Sequence, residues 1–249
     1  MSTYLFVHGS WHGAWCWKKV VPLIEQAGHH AVTLDLPGRG DDATPVGHAS
    51  LQTYAERVVA VLDALSSRVV LVGHSMAGVV VSHVAEMRPE KIATLVYLAA
   101  FLPQNGQSIN AIKKIFLGLS GNVDAPLTAD PDTIIDRERG VSMIRKERAR
   151  DVLYHDCSDE DVTYALSRLC PESTAIGSMP LTLTAERFEC VPRIYIAALQ
   201  DRRVKPELQK AMYTAQPCHK VFSLETSHSP FFSAPEELVS ILTSFDHLI

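Results

Sequence analysis

The sequence predicts an α/β domain, with a mostly parallel sheet, helices on both faces and a helical insertion. Three observations predict it. Strand-like and helix-like segments alternate over the first hundred residues with short links, the mark of a parallel sheet covered on both sides. The central strand candidates are continuous apolar runs, as expected of strands buried on both faces. The alternation breaks near Pro103 and returns near Cys190.

Residues 4–7 form a short apolar run ending in His8-Gly9-Ser10. Residues 18–27 read as a helix closed by Gly28, a residue suited to the turn beyond a helix end. A second strand at 31–34 is stopped by Pro37-Gly38. In 50–65, Leu51, Tyr54, Val58, Val61, Leu62 and Leu65 share one helical face. Residues 68–72 are a buried strand, 76–87 a helix ended by Arg88-Pro89, and 94–100 another buried strand. Between about Pro103 and Cys190 no convincing strand is visible. Charged helical segments are expected there around 132–150 and 159–169, the second started by Ser158 and Asp161 in an S-x-x-D signal. Strands return at 193–198 and 220–224, each followed by a helix, the last running from about Pro235 to the end. The expected organisation is a core of residues 1–102 and 191–249 with a helical cap at 103–190.

A chain of 249 residues, 47% hydrophobic, suits one globular domain with a sizeable core. A net charge of −5 and the lack of a Lys/Arg cluster speak against nucleic acid. A strand beginning at Tyr4 leaves no room for a signal peptide, and no apolar run is long enough to span a bilayer. The five cysteines, Cys16, Cys157, Cys170, Cys190 and Cys218, are widely spaced without a C-x-x-C pair. They read as free thiols in a reducing cytoplasm.

The chemistry concentrates at Gly73-His74-Ser75-Met76-Ala77-Gly78, directly between a buried strand and a helix. A serine on so sharp a turn takes strained backbone angles, so the residues two positions away must be small. Gly73 and Ala77 meet that need, although Ala77 departs from the usual G-x-S-x-G. A serine nucleophile needs a base, and the base needs an orienting acid. In folds with this elbow the chain order is Ser, acid, His. Asp201 follows the strand at 193–198 and His228 follows the last strand, so the expected triad is Ser75, Asp201 and His228. A helix cap or solvated loop acid is the plain alternative for Asp201. Glu225 is the reserve acid, too near His228 in sequence to be preferred. The backbone N–H groups of Ser10 and Met76 are the expected oxyanion donors, with Gly9 allowing close approach. Trp11 and His74 are candidate substrate contacts.

His8 and His12 lie near one another in sequence, and a metal site with His74 is conceivable. No acidic or cysteine partner accompanies them, so no metal is expected, and His8 is read as ordering the oxyanion loop. The acidic run at 156–161 lacks the glycine and closing Glu of a calcium loop. Trp15 and Trp17 read as core.

The segment Leu5-Phe6-Val7-His8-Gly9-Ser10-Trp11-His12-Gly13-Ala14-Trp15 resembles the opening of the hydroxynitrile lyase and plant methylesterase branch of α/β-hydrolases. Residues 28–36, 72–78 and 193–201 continue the resemblance, and Cys157-Ser158-Asp159-Glu160-Asp161 is similar to a cap segment. The stretch 227–233 is similar to bacterial esterases of this branch, including pyrethroid hydrolases. The resemblance implies the α/β-hydrolase fold, a helical cap over the triad, no cofactor, and small to medium carboxylic esters as substrates. Lyases of the branch carry Thr at the position of Gly9 and Lys at that of Ser229, and tend to carry Glu at that of His74. All three differences point to a serine esterase acting on a small-molecule ester. Its expected setting is cytoplasmic, without nucleic acid or membrane, and a homodimer stays open. A hydroxynitrile lyase using the same triad is the first alternative. A hydrolase-fold receptor for small molecules, with slow turnover, is the second.

Overall fold

The computed structural model describes residues 1–118 and 130–245. In chain order its elements are β1 (Thr3–Val7), α1 (Val20–Gln26), β2 (His30–Thr33), α2 (Leu51–Ala64), β3 (Val69–His74), α3 (Ala77–Met87), β4 (Ile92–Leu98) and α4 (Ile109–Phe116). There follow β5 (Thr133–Asp136), β6 (Val141–Ile144), α5 (Lys146–Leu153), α6 (Asp159–Arg168) and β7 (Glu172–Ser173). The chain continues with β8 (Arg193–Ala198), α7 (Pro206–Ala215), β9 (Lys220–Leu224), α8 (Pro230–Ser233) and α9 (Pro235–Ser244).

The main sheet has the order β2-β1-β3-β4-β8-β9, and every neighbouring pair is parallel. Successive side chains on each strand face opposite sides. On β1, Tyr4 and Phe6 join a cluster with Val20 and Ile24 of α1 and Leu238 and Leu242 of α9. Leu5 and Val7 join a cluster with Tyr54 and Val58 of α2, Val80 and Val84 of α3, and Leu208 and Met212 of α7. Each such side chain taken out of water contributes roughly 1.5–3 kcal/mol before entropy is charged against it. The sheet therefore cannot slip register by one residue without turning both cores inside out.

The chain runs outward from β1 to β2, then crosses back to β3 on the other side of β1. That reversal leaves a crevice at the carboxyl ends of β1 and β3, where open parallel sheets place ligands. Val7 pairs with Gly73, so the loops after β1 and β3 leave the sheet side by side.

Between β4 and β8 the chain departs from expectation. The segment around 132–150 is not one charged helix. β5 and β6 form an antiparallel hairpin, and β7 pairs on the far side of β6. Its turn contains Gly140 at φ 63°. Thr133, Ile134 and Ile135 prefer extended backbone, Asp136 ends the strand, and the charges on Arg137, Glu138 and Arg139 belong to the turn. Charge periodicity misled because those residues face solvent in either conformation. The second helix stands as expected: the Ser158 hydroxyl accepts the Asp161 N–H at 3.1 Å.

Candidate active site

Ser75 is the first residue after β3 and has φ 55°. A non-glycine residue held there costs about 1–3 kcal/mol, so neighbouring contacts must enforce it. Its N–H donates to Leu98 O at 3.2 Å, and its carbonyl accepts from Gly78 N at 3.1 Å and Phe101 N at 3.0 Å. A Cβ on Gly73 would stand 2.8 Å from Val81 Cγ2 and 2.9 Å from Ala77 O. Anything larger than glycine would force the elbow open. Ala77, the departure from G-x-S-x-G, begins α3 and is fully buried.

The structure brings together the three side chains expected from sequence. His228, after β9, places Nε2 2.9 Å from Ser75 Oγ. Its Nδ1 lies 2.7 Å from Asp201 Oδ2. The carboxylate can only accept there, so Nδ1 carries the hydrogen and Nε2 presents a lone pair to the serine hydroxyl. Asp201 Oδ1 accepts the N–H groups of Arg203 at 2.6 Å and Val204 at 2.9 Å. Gln209 of α7, fully buried, turns its Nε2 toward Asp201 Oδ2 at 3.4 Å and toward the Ala198 and Val204 carbonyls. All three triad residues are buried. Glu225, the reserve acid, is exposed on the sheet edge.

The loop after β1 is braced by histidines. The N–H of Leu36 donates to His8 Nε2 at 3.2 Å, so His8 Nδ1 carries the hydrogen it donates to Gly9 O at 3.0 Å. In a trans peptide the N–H points opposite the carbonyl, so this contact turns the Ser10 N–H away from His8. His12 does the same one peptide later. Its Nδ1 donates to Ser10 O at 2.7 Å, while Nε2 accepts from the Tyr154 hydroxyl at 2.7 Å. Burial pushes His8 and His12 down to about 3, so both stay neutral at ordinary pH. A Cβ on Gly9 would lie 2.8 Å from Ser75 Cβ. Position 9 has no room for a side chain beside the serine.

A cavity of about 700 Å³ opens over this arrangement, lined by Ser10, Trp11, Ser75, Met76 and His228 from the core. Its opposite wall comes from α4, β5, β6 and β7. Trp11, expected at the pocket, is there. Its indole donates to Ser142 O at 3.1 Å and its carbonyl accepts Cys170 N at 3.0 Å, tying the loop to the inserted segment. His74 corrects the expectation of a substrate contact. It is fully buried off the cavity wall, its ring 4.6 Å from that of His228, and its Nε2 donates to His228 O at 2.8 Å. Burial holds it well below the ordinary histidine range. It buttresses the base from behind.

Four supporting residues escape sequence reading: Gln209, Tyr154, Asp156 and Arg203. Asp156 Oδ2 accepts the N–H of Ser227 at 2.7 Å and so anchors the loop that carries His228. Arg203 lies 4.9 Å over the Trp11 ring and pairs with Asp130. Only Gln209 leaves a signal, as a polar residue one turn from Met212 on the apolar face of its helix. Among the described residues no group of three or more His, Cys, Asp or Glu could hold a metal.

This arrangement can activate a serine hydroxyl against a carbonyl carbon beside backbone donors. Comparison with known proteins agrees with it. The chain is 31% identical to putative methylesterase 11, chloroplastic, of Arabidopsis thaliana over 96% of its own length, but spans only 62% of that protein. It is 32% identical to methylesterase 1 of the same plant, covering 94% of this chain and 92% of that one. The structure of a pyrethroid hydrolase from Sphingobium faniae JZ-2 superposes with a TM-score of 0.84 at 26% identity, covering 98% of this chain and 96% of that one. The model of the alpha/beta hydrolase family matches residues 4–241, and the chain belongs to that family.

Proposed function

We propose that this chain is a serine esterase that hydrolyses small to medium carboxylic esters through Ser75, His228 and Asp201. One observation carries the reading: an unbroken hydrogen-bond chain from Asp201 through His228 to Ser75, with the serine strained at a strand-to-helix junction inside a cavity. Ser75 Oγ attacks the ester carbonyl carbon while its proton passes to His228 Nε2. The ester C–O bond then breaks, and His228 returns the proton to the departing alcohol. Water, deprotonated by the same nitrogen, releases the acid from the acyl-enzyme and restores the serine. The developing oxyanion takes hydrogen bonds from the Ser10 and Met76 N–H groups, each removal of which would cost about 10²–10³ in rate. The relatives named methylesterase and pyrethroid hydrolase support ester chemistry.

Residues 103–190 serve as a cap whose inner wall shapes the ester pocket, on the core formed by 1–102 and 191–249. Trp11 is a substrate contact. The triad needs no cofactor or metal. Free cysteines throughout the described residues suit a reducing compartment such as the cytoplasm. No helix among the described residues is long and apolar enough to cross a membrane. Monomer and homodimer are equally compatible with this chemistry.

Cyanohydrin cleavage is disfavoured by two positions. A lyase gains from a cation beside the base and a hydroxyl opposite the serine, whereas Ser229 is uncharged and position 9 admits no side chain. The test compares kcat/KM for p-nitrophenyl acetate and mandelonitrile on one preparation. Ester hydrolysis should win by roughly a hundredfold or more. Faster mandelonitrile cleavage overturns the assignment, and turnover of neither points to a binding protein.

A further inference from the structure

Much of the cavity wall is apolar, with Met76, Phe101, Ile109, Ile176 and Leu208 among its residues, yet the half-buried ammonium side chain of Lys113 stands in it. Lys113 of α4 is partly buried, with Nζ 5.6 Å from the centre of the Phe101 ring. Among the described residues it makes neither a hydrogen bond nor an ion pair. The nearby carboxylate is already engaged. Asp130 Oδ1 accepts the Asp132 N–H at 3.0 Å, and its Oδ2 accepts the Thr133 hydroxyl at 3.0 Å and pairs with Arg203. A cation drawn out of water costs free energy unless an opposite charge meets it. Burial accordingly pushes Lys113 down to about 8, with the charge of Arg203 adding to the effect and that of Asp130 opposing it. Among the described residues no carboxylate is paired with Lys113, in a chain of net charge −5.

We infer that Lys113 anchors a carboxylate on the substrate, so that the preferred esters are half-esters of dicarboxylic acids. The inference rests on the esterase reading and names its substrate class. Ester carbonyl and carboxylate would occupy one cavity, the first against Ser75 and the second against Lys113, both of which line it. An ammonium is a point charge on a flexible stem and selects charge more than shape, so several chain lengths should be accepted.

The experiment measures kcat/KM for the monomethyl esters of succinic through suberic acid beside methyl alkanoates of matching length. It uses the full chain, Lys113→Met and Lys113→Arg, each checked for folding by circular dichroism. For at least one length the wild type should favour the half-ester by about tenfold or more, the scale of one partly desolvated ion pair. That ratio should fall about tenfold in Lys113→Met and largely survive in Lys113→Arg. An identical ratio in wild type and Lys113→Met overturns the inference, as does faster turnover of the neutral ester at every length. If wild type hydrolyses no ester, the esterase reading fails separately, and calorimetric titration with suberate decides the Lys113 claim. Tighter binding to wild type than to Lys113→Met supports it, and equal or absent binding overturns it. Should Lys113→Met not fold, Lys113→Gln supplies the same comparison.

Discussion

At the scale of single residues, Asp201 and Glu225 stand for two acids of the same chemistry, and their surroundings separate them. Asp201 is buried, receives two backbone N–H groups and holds the Nδ1 hydrogen of His228, whereas Glu225 faces solvent. Asp201→Asn puts the imidazole in the wrong tautomer and should lower kcat by about 10⁴, as in the serine protease triad. Glu225→Gln should leave kcat within a factor of two or so. Steady-state kinetics on both variants checks the pair, and a crippled Glu225→Gln beside a near-normal Asp201→Asn would contradict the register of the last strands. His12 makes a subtler case. An Asn side-chain nitrogen can occupy the place of Nδ1 and keep the bond to Ser10 O, while Gln reaches only the Tyr154 end. His12→Asn should therefore retain most activity, and His12→Gln, which releases the peptide that follows the Ser10 donor, should lose roughly tenfold or more in kcat with KM little changed, because a displaced oxyanion donor is felt mainly in the transition state. Affinity for a trifluoromethyl ketone should fall in step with kcat. Equal damage from both variants would show that His12 only packs.

At the scale of elements, the inserted segment is tied to the catalytic loops by a few long-range bonds. Asp156 follows α5 and accepts the N–H of Ser227, and the Ser227 hydroxyl reaches Leu153 O at 3.2 Å. Asp156→Ala leaves a buried N–H unpaired, which should destabilise the protein by about 1–3 kcal/mol. Urea unfolding measures it, and an unchanged midpoint would show that the His228 loop stands without this anchor. Such bonds explain what the sequence could and could not disclose. The core strands were legible because Val69–His74 and Ile92–Leu98 are apolar on both faces, and the elbow because Gly73 must be small. The expected acid and base followed from their places after the last two strands, once the elbow had marked the serine. The hairpin β5–β6 was hidden because its pairing is a tertiary choice, made by residues whose charge pattern also suits a helix. His74 was misread for a related reason: position beside the nucleophile says nothing about which way the side chain turns.

At the scale of the whole molecule, several buried neutral histidines make stability depend on pH. His8 and His12 titrate near 3 in the folded protein, against 6.5 for the ordinary side chain, and His74 is also strongly depressed. Below 6.5 the unfolded chain binds protons that the folded one refuses, so their stabilising contribution is complete above that pH and is lost as pH falls toward 3. Between about pH 6.5 and 5, above the carboxylate range, the thermal midpoint should drop steadily, with roughly two to three protons taken up on unfolding. Calorimetry in buffers of different ionisation enthalpy counts them, and a flat midpoint without uptake would mean that these histidines are not held neutral. These buried groups surround Ser75, which lines the cavity with its hydroxyl beside His228. The most direct test is covalent. The protein is treated with a p-nitrophenyl organophosphate, and released p-nitrophenol is followed alongside intact mass and peptide mapping. The account predicts one adduct per chain, on Ser75, with ester hydrolysis lost in proportion to labelling and neither adduct nor hydrolysis in Ser75→Ala. Labelling at another residue, or hydrolysis that persists in Ser75→Ala, would contradict it.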